Sequence, residues 1–194
     1  FFEDYTDASA VDLFDWPQPE KYIDPEECRK VVDDVPEGYA VLGVVWSAHF
    51  QDACAAFGME DALVKMFTAP DLFKAVINRI TDFYLRANEI FYKATQGKLH
   101  AVLIGNDFGS QQNLMVGPEQ LREFVFPGTR KLIEQAKRYG LKVIHHSCGS
   151  IYDIIPDLIE MGVDAIHPIQ ALASRMEPER LNKDFGSRVS FCGG

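Results

Sequence analysis

The apolar residues of this chain fall into two alternating rhythms. Short apolar runs recur at Tyr39–Val45, Ala101–Gly105, Val143–Ile144, Asp164–Ile169 and Val189–Cys192. Runs of this length, rich in Val and Ile and bounded by Gly or Pro, predict strands buried on both faces. Between them the spacing changes to three and four. Leu72, Phe73, Val76, Ile77, Ile80, Phe83, Tyr84, Ala87, Ile90 and Phe91 form one stripe, which predicts a long helix opened by Pro70 and ended by Gly97. Two short helical pieces are predicted on either side of Gly58. A helix carrying Leu121, Phe124, Val125, Leu132, Ile133 and Ala136 is predicted from Pro118 to Gly140, with Pro127 kinking or breaking it. Further helices are predicted from about Ile151 to Gly162 and from Pro178 to near Gly186. Residues 1–38, mixed in Asp, Pro and aromatics, predict an irregular lead-in ending in a short helix from Pro25 to about Asp34.

Five strands alternating with helices require a parallel sheet, either doubly wound or closed into a barrel. Neither G-x-G-x-x-G nor G-x-x-x-x-G-K follows a strand, so the nucleotide-binding versions lack their phosphate cradle. Polar residues instead gather at strand carboxyl ends: His49, Asn106 and Asp107, His146 and Cys148, His167 and Gln170, and Cys192. A barrel brings these ends to one mouth. Residues 39–194 are therefore expected to be successive β/α units of a (β/α)8 barrel. The absence of an initial Met, and a final strand with no helix to cover it, make a fragment with about five strands the expectation.

Lys142 to Ser150, K-V-I-H-H-S-C-G-S, is the stretch with the most chemistry. Along an extended chain His146 and Cys148 point one way while His145 and Ser147 point the other. An imidazole and a thiolate at this spacing suit Zn²⁺ and need at least one ligand from elsewhere; the plainer reading is a buried histidine and a buried apolar cysteine. Asp107, in I-G-N-D-F-G-S-Q-Q, either caps a turn or walls a polar pocket. His49 reads as a core or surface residue, with a pocket role as the alternative.

Composition narrows the partners. The 194 residues are 47% hydrophobic and 25% charged, ordinary for one globular domain, and a net charge of -10 argues against nucleic acid or an anionic membrane. The four cysteines show no disulfide rhythm, and no signal or membrane-spanning run is present. A cytoplasmic setting with free thiols is the expectation.

The succession D-W-P-Q-P, G-V-V-W, G-N-D-F-G-S-Q-Q-N-L-M-V-G-P-E-Q-L-R-E-F-V-F-P, H-H-S-C-G-S-I-Y-D-I-I-P-D-L-I-E-M-G-V-D, H-P-I-Q and F-C-G-G resembles the uroporphyrinogen decarboxylase superfamily over nearly the whole chain. The resemblance implies a (β/α)8 barrel with its site at the strands' carboxyl mouth, and one of two chemistries. Decarboxylases remove acetate carboxyl groups from a tetrapyrrole without a cofactor, using an aspartate, a tyrosine and a histidine with substrate-binding arginines. Corrinoid-dependent methyltransferases use Zn²⁺ to activate a thiol that accepts a methyl group from methylcobamide carried by a partner protein. His146-Ser147-Cys148-Gly149 resembles the second branch's H-x-C zinc pair. The decarboxylases' tyrosine falls close to Gln51, their serine aligns roughly with Asn106, and their arginine-rich segment would precede Phe1. The methyltransferases' third ligand, a cysteine, would lie downstream, with Cys192 at an adjacent barrel position as its replacement. The implied enzyme is thus a corrinoid:thiol methyltransferase with His146, Cys148 and Cys192 as metal ligands, and with Asp107, Asn106, His167 and Gln170 orienting substrate or ligands. A decarboxylase is the alternative. A barrel that binds a corrinoid or porphyrin without turnover is a third reading.

Overall fold

The order of strand pairing decides between the two sheet architectures. In a computed structural model describing residues 1–193, five parallel strands form one sheet: β1 (Leu42–Val44), β2 (Ala101–Gly105), β3 (Lys142–His146), β4 (Ala165–His167) and β5 (Ser190–Phe191). Each pairs with the next in sequence. A doubly wound sheet reverses its strand order partway across. Sequential parallel pairing instead returns every right-handed crossover to the same face, which is the winding of a (β/α) barrel.

Burial follows from that winding. Val102, Ile104, Val143, His145 and Ile166 face the helices and are almost wholly buried. On the opposite face Val44, Leu103, Ile144, Ala165 and Ser190 align in register across the arc. This second face is the concave, inner side, where Leu103 and Ile144 are half-buried and Val44 is exposed. One layer further along, Gly105, His146 and His167 align, so the register itself brings the chemistry-bearing strand ends to one level.

The helices form where the apolar spacing puts them. They are α1 (Pro25–Asp33), α2 (His49–Phe57), α3 (Met59–Thr68), α4 (Pro70–Ala94), α5 (Pro118–Gln120), α6 (Phe126–Arg138), α7 (Ile155–Glu160) and α8 (Pro178–Phe185). Proline stands in the first turn of α1, α4, α5, α6, α7 and α8, where its missing N–H leaves no intrahelical bond unmade. The disruption expected at Pro127 takes the form of a π-helical segment, Leu121–Val125, in which the Phe126 N–H donates to the Leu121 carbonyl. The lead-in is less irregular than its composition suggests. A 3₁₀ turn spans Ala8–Leu13, and Phe2 is buried against Phe14, Trp16 and Phe57 at ring distances of 4.9, 5.5 and 6.0 Å. Burying one such ring contributes roughly 1.5–3 kcal/mol, so this segment is anchored to α2. Among the described residues, no helix is long and apolar enough to cross a membrane.

Candidate metal centre at the barrel mouth

β3 runs out at His146, and extended backbone carries Cys148 to the same inner side. Cys148 Sγ lies 3.4 Å from His146 Nε2. The next strand end supplies a third group, since Asp107 Oδ1 is 3.3 Å from the same nitrogen. One ligand atom each from Asp107, His146 and Cys148 falls within 4.8 Å of the other two. All three side chains are half-buried, neither sealed in the core nor fully exposed.

Asp107 is held from several sides. Its Oδ1 also accepts from the Cys148 backbone N–H at 2.9 Å, and its Oδ2 accepts from Gln51 Nε2 at 3.3 Å. Both readings of Asp107 in the sequence therefore meet in one residue, which braces the turn after β3 and faces the mouth. Gln51 and Trp46, whose ring lies 4.8 Å from that of His146, were not among the expected site residues. The strand-end rule that singled out the others applies to Trp46, just past β1, whereas Gln51 reaches the mouth from within α2.

The remaining expected residues are placed differently. Asn106 is buried, and its Oδ1 accepts from the backbone N–H groups of Phe50 and Gln51 at 2.8 and 3.3 Å. Its side chain thus caps the N-terminus of α2 from outside the helix, while its backbone N–H donates to the His146 carbonyl at 3.1 Å. His49 is also buried: Nε2 donates to the Val125 carbonyl at 3.0 Å, which leaves Nδ1, 3.3 Å from both Asn106 Nδ2 and the Ser47 carbonyl, to accept from the amide. Burial holds the His49 imidazole below its ordinary pKa, hence neutral. This corrects any pocket role for His49. Asn106→Ala removes a cap and strands the His49 acceptor, so a loss of roughly 2–3 kcal/mol in urea unfolding is expected. A change near zero would argue against this structural role.

His167 lies beside His146, the two Nδ1 atoms 2.9 Å apart. Gln170 braces the turn, its Oε1 accepting from the Gly149 N–H and from Gln111 Nε2, both at 3.0 Å. Cys192 is exposed, and its sulfur is outside the group formed by Asp107, His146 and Cys148.

Electrostatics disfavour a free thiolate. Burial raises the pKa of the Cys148 thiol, and the Asp107 charge adds to the rise. Burial likewise lowers that of His146, with Asp107 opposing and His167 reinforcing the shift. A soft cation would favour the thiolate and use the imidazole and the carboxylate as donors at the same time. Imidazole nitrogen with thiolate sulfur matches zinc and excludes the all-oxygen preferences of magnesium and calcium.

A sheet of sequential parallel β/α units with polar groups at the strands' carboxyl ends has the winding of a (β/α) barrel. The chain belongs to the uroporphyrinogen decarboxylase (URO-D) family, whose pattern it matches over residues 7–194. Among solved structures it is similar to a methyltransferase from Methanosarcina mazei, with a TM-score of 0.68 and 16% identity over 87% of this chain. The match covers 47% of that protein, so this chain spans about half its length. No curated protein sequence gives a significant match.

Proposed function

We propose that this chain carries the metal-ligating part of a zinc-dependent methyltransferase that moves a methyl group from a methylated corrinoid protein to a thiol. The observation that carries the reading is the convergence of Asp107, His146 and Cys148 at the barrel mouth. Asp107, His146 and Cys148 would hold the ion with three protein donors and leave room for a substrate thiol, as in catalytic rather than structural zinc sites. In this reading Asp107 takes the place first expected of Cys192. When bound, zinc supplies the positive charge that favours the thiolate form of a substrate thiol at neutral pH.

The other side chains position this set. Gln51 and the Cys148 N–H hold the two oxygens of Asp107, while Gln170 secures Gly149 and hence the turn bearing Cys148. Trp46 covers one side of the His146 ring and restricts its rotation. The likeness to a methyltransferase supports the same chemistry. The corrinoid, as methylcobamide, arrives on its own carrier protein.

The family description favours a second reading, cofactor-free decarboxylation of a tetrapyrrole, in which Asp107 and His167 would exchange protons with the substrate. Such a polyanion needs cations. Among the described residues, no Lys or Arg forms an ion pair with Asp107 or hydrogen-bonds to His146, Cys148 or His167.

Metal analysis tests the proposal. About one zinc per chain is expected for the native sequence, with Cys148→Ser and Asp107→Asn each lowering affinity by at least about tenfold. Unchanged stoichiometry and affinity in Cys148→Ser would remove the basis for the zinc reading. Absorbance titrations with a corrinoid protein and with a uroporphyrinogen separate the two substrate classes.

A further inference from the structure

We propose that His167 is a positioning residue that sets the tautomer of His146, so that the Nε2 lone pair of His146 is free to hold a cation; this rests on the zinc reading of the site. The two residues are in register on adjacent strands, and the Ser147 N–H donates to the His167 carbonyl at 2.8 Å, which fixes the backbone between them. Their Nδ1 atoms are 2.9 Å apart. At that distance the two nitrogens share one hydrogen, because two facing lone pairs or two facing N–H groups would repel.

Which ring owns the shared hydrogen depends on the far side of His146. Without a cation, His146 Nε2 lies 3.3 Å from Asp107 Oδ1 and 3.4 Å from Cys148 Sγ, and a hydrogen on Nε2 there faces the charge of the carboxylate. Nδ1 of His146 is then an acceptor, and the shared hydrogen belongs to His167. A metal-ligating Nε2 cannot keep its hydrogen, so His146 must carry it on Nδ1 and donate to His167. His167 then accepts at Nδ1 and carries its own hydrogen on Nε2. Each ring has one hydrogen in both arrangements, so the pair stays neutral and no net proton is gained or lost. Metal-bound histidines donate their second N–H to a carboxylate, carbonyl or water in most sites, and the partner raises the basicity of the ligand. Here a second imidazole occupies that place.

The proposal predicts different outcomes for two amide replacements. His167→Asn sets its Oδ1 near the position of the lost Nδ1 and keeps an acceptor for His146, whereas His167→Gln reaches past it toward the position of Nε2. Zinc titration against a chromophoric chelator is expected to show His167→Leu and His167→Gln weakened by roughly 10–100-fold, with His167→Asn close to the native protein. Nitrogen NMR of the native protein supplies a readout that needs no variant: the hydrogen of His146 is expected on Nε2 before zinc is added and on Nδ1 after. If the native protein takes up zinc but His167→Leu binds as tightly, this inference fails and the zinc reading stands. It fails equally if His167→Asn is as weak as His167→Leu, or if His146 has Nε2–H in the zinc-loaded protein. If the native protein takes up no zinc, the reading of the site fails and the inference falls with it.

Discussion

Gly149→Ala is expected to destabilise the fold by roughly 2–4 kcal/mol and to weaken zinc binding together with it. Gly149 has φ +81°, and a Cβ there would lie 2.4 Å from the Gly109 carbonyl carbon and 2.5 Å from the carbonyl oxygens of Gly109 and Ser110. Both costs fall on backbone, which has no flexible side chain to give way. The left-handed conformation alone costs an alanine about 1–2 kcal/mol. The close approach joins the two loops that carry the site: Gly109 N–H donates to the Cys148 carbonyl at 3.2 Å, and Ser150 N–H donates to the Ser110 carbonyl at 2.8 Å. Relief of the clash must separate the loops and pull Cys148 away from Asp107. Urea unfolding and a zinc titration on the same preparation measure both effects. A variant with native stability and native affinity would mean that the loops tolerate separation, and that the geometry of the centre does not depend on their contact.

The parts of this fold that depend on local pattern were legible in the chain. The run Ala101–Gly105 reads directly as β2, and the three-four stripe from Pro70 predicts α4. The strands β1 and β4 are shorter than their apolar runs because pairing, not hydrophobicity, defines a strand, and among the described residues Tyr39 to Val41 and Pro168 to Ile169 have no partner strand in register. Alternation along the extended chain likewise foretells that His146 and Cys148 share a side. Asn106 shows the limit of strand-end reasoning. It sits one residue from Asp107, yet its side chain turns into the protein to cap α2, a helix 55 and 56 residues away in sequence. Only the packing of that helix against the sheet decides which of two adjacent polar residues faces the mouth. The same limit applies to Gln51, because the reach from α2 to Asp107 depends on where the first crossover descends.

His145 carries the second large expectation. Its ring is fully buried, stacked on Phe108 with centroids 5.8 Å apart, and among the described residues neither ring nitrogen has a hydrogen-bond partner. Burial, reinforced by the neighbouring His49 and His146, lowers its pKa from 6.5 to about 3. For a base with a depressed folded pKa, the unfolded chain binds a proton between those two values that the folded chain refuses. The fold is therefore unaffected by this group above about pH 6.5 and loses stability progressively as the pH falls toward 3, at about 1.4 kcal/mol per unit and at most about 5 kcal/mol in all. His145→Leu removes both unpartnered nitrogens at similar volume and is expected to be neutral or stabilising at pH 7.5. At pH 5 its advantage over the native protein should grow by about 2 kcal/mol, since 1.5 units of that slope have been removed. Urea midpoints of both proteins at the two pH values test this, because their difference cancels the carboxylates and His49. An equal pH dependence in the two would show that His145 takes up its proton in the folded state as readily as in the unfolded chain. The buried neutral ring behind β3 would then have to be abandoned, whatever the candidate site on the other face of the strand proves to bind.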